Sequence, residues 1–194
     1  MYEKFGQFID GKWSSSENNE TYEVINPATE EVLGHASKAT PVDVEKALKS
    51  AEKGLQVWKK TPPWQRAYTI RRIADKMREK KDVLAKWMTL EVGKPLAEGV
   101  GETNGAADIF EWNAEETKRI YGQTVESRFE DTRVHVYYQP VGVVAALSPW
   151  NFPLILSARK ISTALAAGCS VIIKPDVITP GVVMELVDIC RECG

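Results

Sequence analysis

GVVAALSPWNFPLILSARKISTALAAGCSVIIKPDVITP, residues 142–180, holds a strand, a helix and a second strand in one βαβ-sized unit. Val141 to Leu147 is short, apolar, uncharged and β-branched at its start, the pattern of a strand buried on both faces of a parallel sheet. Ser148-Pro149-Trp150-Asn151-Phe152-Pro153 ends it, because two prolines fix φ and remove ladder donors, and Pro153 suits a first helical turn. The helix runs to about Ala167 and Gly168 closes it. Cys169 to Ile173 reads as a second buried strand that ends on Lys174-Pro175. The fold class expected is α/β: the start of a Rossmann-like, doubly wound cofactor domain with helices before it.

In such sheets the ligand lies beyond the carboxyl ends of the strands, and the residue that reads the adenosine ribose sits about 20 residues past the first turn. Lys174 follows Asn151 by twenty-three positions. A cation there reaches ribose hydroxyls or a 2′-phosphate, and Asn151 presents an amide at the mouth of the first strand. The G-x-G-x-x-G phosphate fingerprint is absent, since Ser148-Pro149-Trp150-Asn151 stands in its place. Taken singly, each residue also has a plainer reading: Asn151 as a turn cap, Lys174 as a solvated strand end, Arg159 as a surface arginine.

Outward from this unit, Gln7 to Trp13 holds an Asp10-Gly11 hairpin turn, and Thr21 to Ala36 alternates about Asn26-Pro27. Thr40-Pro41-Val42-Asp43 starts a capped helix with Val44, Ala47, Leu48, Ala51, Leu55 and Trp58 on one face. A second helix starts near Pro63 with Trp64, Ala67, Ile70, Ile73 and Met77 inward, and a third covers Lys80 to Leu90 before Gly93 and Pro95. Pro95 to Tyr121 reads as one long helix ended by Gly122, whose Gly99, Gly101 and Gly105 point either to close packing against another element or to a local kink. From Thr124 to Gln139 the period becomes two, with Val134, Val136 and Tyr138 opposite Arg133, His135 and Tyr137, and a helix covers Val182 to Ile189.

The blocks SPWNFP, ARK, ALAAGC and KPDVITP, with FIDGKW, NPATEEVLG (Asn26 to Gly34) and LEVGKPLAE (Leu90 to Glu98), resemble the aldehyde dehydrogenase superfamily in order and spacing along essentially the whole chain. FEWNAEETKRIYGQTV (Phe110 to Val125) is most similar to the succinate-semialdehyde dehydrogenase branch. The resemblance implies an NAD- or NADP-dependent oxidation of an aldehyde, succinate semialdehyde or a similar semialdehyde, to its acid. It implies that the Asn151 amide helps hold an oxyanion, and that Ser148, Pro149, Trp150, Asn151, Lys174, Pro175, Asp176 and Val177 contact the cofactor. It further implies that Arg159 binds the substrate's distal carboxylate, for which a guanidinium fork is suited. In the family a glutamate often holds the ribose hydroxyls where Val177 stands, so NADP is expected to be tolerated or preferred, unless Asp176, one place earlier, takes that glutamate's part, which keeps NAD open as well.

The resemblance divides the chain into residues 1–122, the front of the cofactor domain; 123–140, strands of an arm through which subunits form a dimer or tetramer; and 141–194, the first βαβ of the cofactor domain. Family members are more than twice as long, and their nucleophilic cysteine, base glutamate and Gly-x-x-x-x-Gly loop lie past Gly194. The 194 residues are therefore expected to be inactive alone, as the front portion of an enzyme. A different class of reading, a non-catalytic module that binds nucleotide weakly or docks on full-length subunits, stays open.

Composition bounds the alternatives. With 43% hydrophobic and 27% charged residues and a net charge of −2, neither nucleic acid nor a membrane surface is an implied partner. No apolar run approaches membrane-spanning length, MYEKFGQFIDGKW lacks a signal-peptide core, and three cysteines without disulfide-like spacing suit a reducing compartment, so the cytoplasm is expected. Cys190 and Cys193 make only half a zinc site, Cys169 reads as core, and His35 and His135 are isolated, so no metal is expected.

Overall fold

The computed structural model describes residues 2–194. Its elements are strands β1 (Gln7–Ile9), β2 (Lys12–Ser14), β3 (Thr21–Ile25) and β4 (Val32–Ser37), then helices α1 (Pro41–Trp58), α2 (Pro63–Glu79), α3 (Lys81–Val92) and α4 (Leu96–Thr117). Strands β5 (Gln123–Glu126), β6 (Arg133–Val136) and β7 (Val143–Leu147), helix α5 (Pro153–Ala166), strand β8 (Ser170–Lys174) and helix α6 (Pro180–Cys193) complete the chain. The strands pair in sequence, β1 with β2, β3 with β4 and β5 with β6 antiparallel, β7 with β8 parallel.

Local chemistry accounts for most boundaries. Asp10 and Gly11 both take positive φ, 50° and 75°, as a two-residue hairpin turn between right-twisted strands requires. Thr40 and Asp43 form a reciprocal capping box at α1, and the Asp43 carboxylate also accepts the Glu17 N–H. These donors, the Thr40 N–H foremost, hold the Asp43 carboxyl down at about 2. Gly168 sits just past α5 at φ 84°, where a side chain would also press on Pro140.

The core lies between α2, α3, α4, α5 and α6, on Ile70, Ile73, Met77, Leu84, Met88, Phe110, Leu154, Leu186 and Ile189, none more than 2% exposed. Gly99 lets α4 approach α3, since a Cβ there would lie 3.0 Å from the Ala85 carbonyl, and Gly105 faces Ile155 of α5. Gly101 faces open space, so two of the three glycines serve packing within the chain.

Several expectations are corrected. Trp64 lies 73% exposed under the Lys118 ammonium, because α2 turns Arg66, Ala67 and Ile70 inward and Trp64 falls on the opposite arc. On α1, Val44 and Leu48 are exposed, while Ala47, Ala51, Leu55 and Trp58 of the same stripe are only half-buried. Helix α4 ends at Thr117, four residues before Tyr121, where Lys118 and Arg119 donate to the closer carbonyls of Glu115 and Glu116 in a tightened last turn. Strand β7 is not buried on both faces: Ala146 is 1% exposed but Leu147 is 64% and Val141, outside the strand, 89%, because β7 pairs only with β8. Strand β6 ends at Val136, leaving Tyr137 and Tyr138 outside it, and every residue of β5 and β6 is exposed.

Candidate functional site

Strands β7 and β8 run in register, with Leu147 opposite Lys174, so the loops that follow them leave the same end of the sheet. The Ser148 N–H donates to the Lys174 carbonyl at 3.1 Å, extending the ladder one step past the strands. Ser148 itself is buried, and its hydroxyl accepts from Ser157 of α5 at 2.8 Å. The Asn151 loop is thus tied at its root to both the neighbouring strand and the following helix.

Pro149, Trp150 and Asn151 are exposed beyond that root. The Asn151 side-chain amide makes no hydrogen bond to any described residue, so it does not cap the turn. Its backbone carbonyl accepts from Lys94 Nζ at 3.3 Å, and the same ammonium lies 3.9 Å from the centre of the Phe152 ring. Lys94 pairs with Glu102, both side chains almost fully buried. Oε1 of Glu102 accepts the N–H groups of Leu154 and Ile155 at 3.0 and 3.1 Å, the first free donors of α5.

Lys174 is exposed at the mouth and forms no ion pair with any described residue. Asp176 is engaged in its own turn: Oδ1 accepts the Ile178 N–H at 3.0 Å, and its carbonyl accepts the Thr179 N–H at 3.2 Å. Val177 and Ile178 are exposed, and Pro175 and Asp176 are half-buried. Thr179 is buried with its hydroxyl unpartnered among the described residues. Arg159 is exposed on α5 one turn from Thr163, also exposed, on the helix face that follows from the Asn151 loop, and it too makes no ion pair with a described residue.

The N-terminus of α6 is closed from within the fold. Glu91, fully buried on α3, accepts the N–H groups of Gly181 at 2.6 Å and Val182 at 3.0 Å, and the Tyr2 hydroxyl donates to the same carboxylate. Burial pushes the Glu91 carboxyl up to about 7 against the pull of these three donors. It also drives the Tyr2 phenol well above its ordinary range.

The structure therefore brings Ser148, Pro149, Trp150, Asn151, Lys174, Pro175, Asp176 and Val177 to one edge and sets Arg159 on the adjoining helix. Lys174 is an exposed cation at the end of β8, and Val177, three positions on, is exposed and carries no charge. The helix N-termini do not fit the diphosphate of a nicotinamide dinucleotide, since carboxylates already occupy their donors. The cysteines offer no nucleophile to this edge: Cys169 is buried, burial pushes the Cys190 thiol up to about 12, and burial also raises that of Cys193. Among the described residues no three His, Cys, Asp or Glu are grouped as metal ligands.

Lys94, Glu102 and Glu91 escape a reading by motif alone. A signal for two was present: Glu91 falls on the stripe of Leu84, Trp87 and Met88, so a carboxylate on an apolar helix face needed a buried partner. Glu102, flanked by Gly99 and Thr103 on the inward face of α4, is the same case.

Residues 13–194 match the aldehyde dehydrogenase family. The chain is 42% identical over 187 residues to a glutarate-semialdehyde dehydrogenase of Pseudomonas aeruginosa, covering 96% of this chain and 39% of that protein. It is 41% identical over 186 residues, with the same coverage of both, to the NADP(+) succinate-semialdehyde dehydrogenase of Escherichia coli. The crystal structure of succinate-semialdehyde dehydrogenase from Burkholderia pseudomallei superposes with a TM-score of 0.96 at 37% identity, covering 98% of this chain and 39% of that one. The chain spans about two-fifths of the length of these relatives. With both the motifs and the parallel pair that carries them in common, the chain belongs to the aldehyde dehydrogenase family.

Proposed function

We propose that this segment provides the oxyanion donor, the adenosine-ribose contact and the carboxylate clamp of an enzyme that oxidises a semialdehyde to its dicarboxylic acid with NAD or NADP. One observation carries the reading: a side-chain amide without an internal partner, Asn151, stands at the same sheet edge as an unpaired cation, Lys174. A thiolate and a general base from outside these residues complete the chemistry. When bound, the nicotinamide dinucleotide supplies the hydride acceptor.

The residues of this chain then act as follows. The Asn151 amide donates to the carbonyl oxygen as it takes up charge, a contact that strengthens towards the transition state and whose loss typically costs about 10²–10³ in rate. Lys174 donates to the ribose hydroxyls or pairs with a 2′-phosphate, and Val177, with no carboxylate, leaves that phosphate unopposed, which favours NADP. Asp176, whose Oδ1 is spent on Ile178, is a poor substitute for the absent glutamate. Arg159 holds the distal carboxylate by its fork of donors. The division into residues 1–122, 123–140 and 141–194 belongs to the same reading, with the exposed β5–β6 hairpin as the arm on which subunits pair into a dimer or tetramer. A bare, fully exposed two-stranded hairpin is marginal in water, which supports a partner for it.

The test compares Arg159→Ala and the parent, each in the full-length enzyme, on succinate semialdehyde and on hexanal. The expected result is a rise in KM of about ten-fold or more for the charged substrate, as for loss of a charge-assisted pair, with hexanal unchanged. Equal losses on both substrates refute the clamp.

A further inference from the structure

We infer that Lys94 and Glu102 form a positioning pair for Asn151: a buried brace that fixes the Asn151 backbone carbonyl and the helix start that follows it while leaving the oxyanion amide itself free. This rests on the reading of Asn151 as the oxyanion donor. Neither side chain reaches the mouth of the site; both act through the loop.

The geometry is specific to this loop. The Lys94 ammonium is 3.3 Å from the Asn151 carbonyl and 3.9 Å from the centre of the Phe152 ring, and its remaining contact is Glu102. Glu102 accepts from Leu154 and Ile155, at 3.0 and 3.1 Å. Together the two side chains hold residues 151, 152, 154 and 155, and Pro153 between them has φ fixed by its ring. Lys94 comes from the turn between α3 and α4, and Glu102 from the second turn of α4, so the brace runs from the helical core to the part of the loop, Pro149 to Phe152, that is exposed beyond its buried root at Ser148.

Energy alone does not explain such a pair. Taking an ammonium and a carboxylate out of water costs several kcal/mol per ion, and well-packed apolar residues of similar volume often serve stability as well or better. Apolar packing has no direction, whereas the carboxylate must face two particular N–H groups and the ammonium one particular carbonyl. What the pair adds over a Leu or Met pair is orientation. An oxyanion donor needs that, because displacement of a reacting group by about 1 Å can cost about 10²-fold. The helix N-terminus gains as well: a carboxylate on its free donors opposes fraying of the first turn of α5.

The experiment uses the full-length enzyme and counts kcat per active site titrated by stoichiometric binding of reduced cofactor, so that misfolded protein does not register as slow catalysis. Asn151→Ala judges the underlying reading and is expected to lose about 10²–10³ in kcat. Lys94→Met judges the brace: kcat should fall about ten- to a hundred-fold with KM within two-fold, and Lys94→Arg, which restores the cation, should recover most of it. The double variant Lys94→Met with Asn151→Ala should be no more than about two-fold slower than Asn151→Ala alone, because a brace has no effect once the group it positions is gone.

If Asn151→Ala is slow but Lys94→Met is not, or if the double variant multiplies the two losses, the positioning role is wrong and the oxyanion reading survives. If Asn151→Ala keeps its rate, both fall together. Should Lys94→Met fail to fold, Glu102→Gln keeps an acceptor for Leu154 and Ile155 while releasing Lys94, and the same pattern of kcat, KM and non-additivity is required of it.

Discussion

Glu91 makes the stability of this chain fall as pH rises through a range where most proteins are at their steadiest. Its carboxyl is raised from 4.5 to about 7 in the folded chain, chiefly by burial. Below about pH 4.5 it is protonated both folded and unfolded, and its contribution is fully present. Between about 4.5 and about 7 the folded chain keeps a proton that the unfolded chain has released, so stability declines by about 1.4 kcal/mol per pH unit; above about 7 both states are ionised and the decline stops. The whole change is about 3 kcal/mol, a large share of a small domain's stability. Urea denaturation of the parent and Glu91→Gln, followed by tryptophan fluorescence at half-unit steps from pH 4.5 to 8, isolates it, since the other groups titrate alike in both. Dilute protein is required because the isoelectric point, about 5.8, lies within the range. The parent's advantage over Glu91→Gln should shrink by about 3 kcal/mol from pH 4.5 to 8. A gap that stays constant, or widens with pH, means that the donations from Tyr2, Gly181 and Val182 outweigh burial and hold the carboxylate ionised, and the reasoning is then refuted.

Two more outcomes are expected. Gly181→Ala should destabilise the chain by about 1–3 kcal/mol in the same assay, because a methyl there would overlap the Trp87 ring and come within 2.7 Å of Glu91 Oε1; a change within 0.5 kcal/mol would mean the α6 start shifts freely. Val177→Glu in the full-length enzyme should move the ratio of kcat/KM for NADP over NAD about ten-fold towards NAD, by repulsion of the 2′-phosphate near Lys174, and an unchanged ratio would place that phosphate elsewhere.

The βαβ unit was legible in the sequence because its punctuation is local. Pro153 at the first turn, Gly168 past the last, and a strand ending on Lys174 each act within a few residues, and the helix and second strand lie within a residue of where they are expected. The burial of β7 was not legible, since an apolar run reports what a strand is suited to face and not whether anything covers it; Leu147 and Val141 are exposed with only β8 beside them. Trp64 misled for a related reason. An aromatic at the start of a helix fits the inward stripe by spacing, but three-residue and four-residue steps diverge over four turns, and the arc is fixed by Ile70, Ile73 and Met77. At the candidate site, the residues of the sheet edge carried motif signals, and Lys94 fell in the block LEVGKPLAE, but its contact with Asn151 and that of Glu102 with Leu154, each over some fifty residues, were not legible because they depend on how the helices pack.

On the proposed reading, Glu91 and Glu102 also constrain how a dinucleotide would lie against this chain. In a doubly wound sheet with a glycine-rich turn, the diphosphate rests on the free donors at the start of the first helix. Here the start of α5 is spent on Glu102 and the start of α6 on Glu91, so a diphosphate at either would displace a buried carboxylate or face its charge. On that reading, the absent glycine fingerprint and the two capping carboxylates agree: a turn after β7 that seats no phosphate needs no glycine, and Ser148 to Pro153 can be a braced loop instead. On the proposed reading, the dinucleotide is then held on this chain by its adenosine ribose, at Lys174, while its diphosphate is carried by residues outside it. That leaves the mouth of β7, where another fold would bind phosphate, free for the reacting carbonyl and the Asn151 amide.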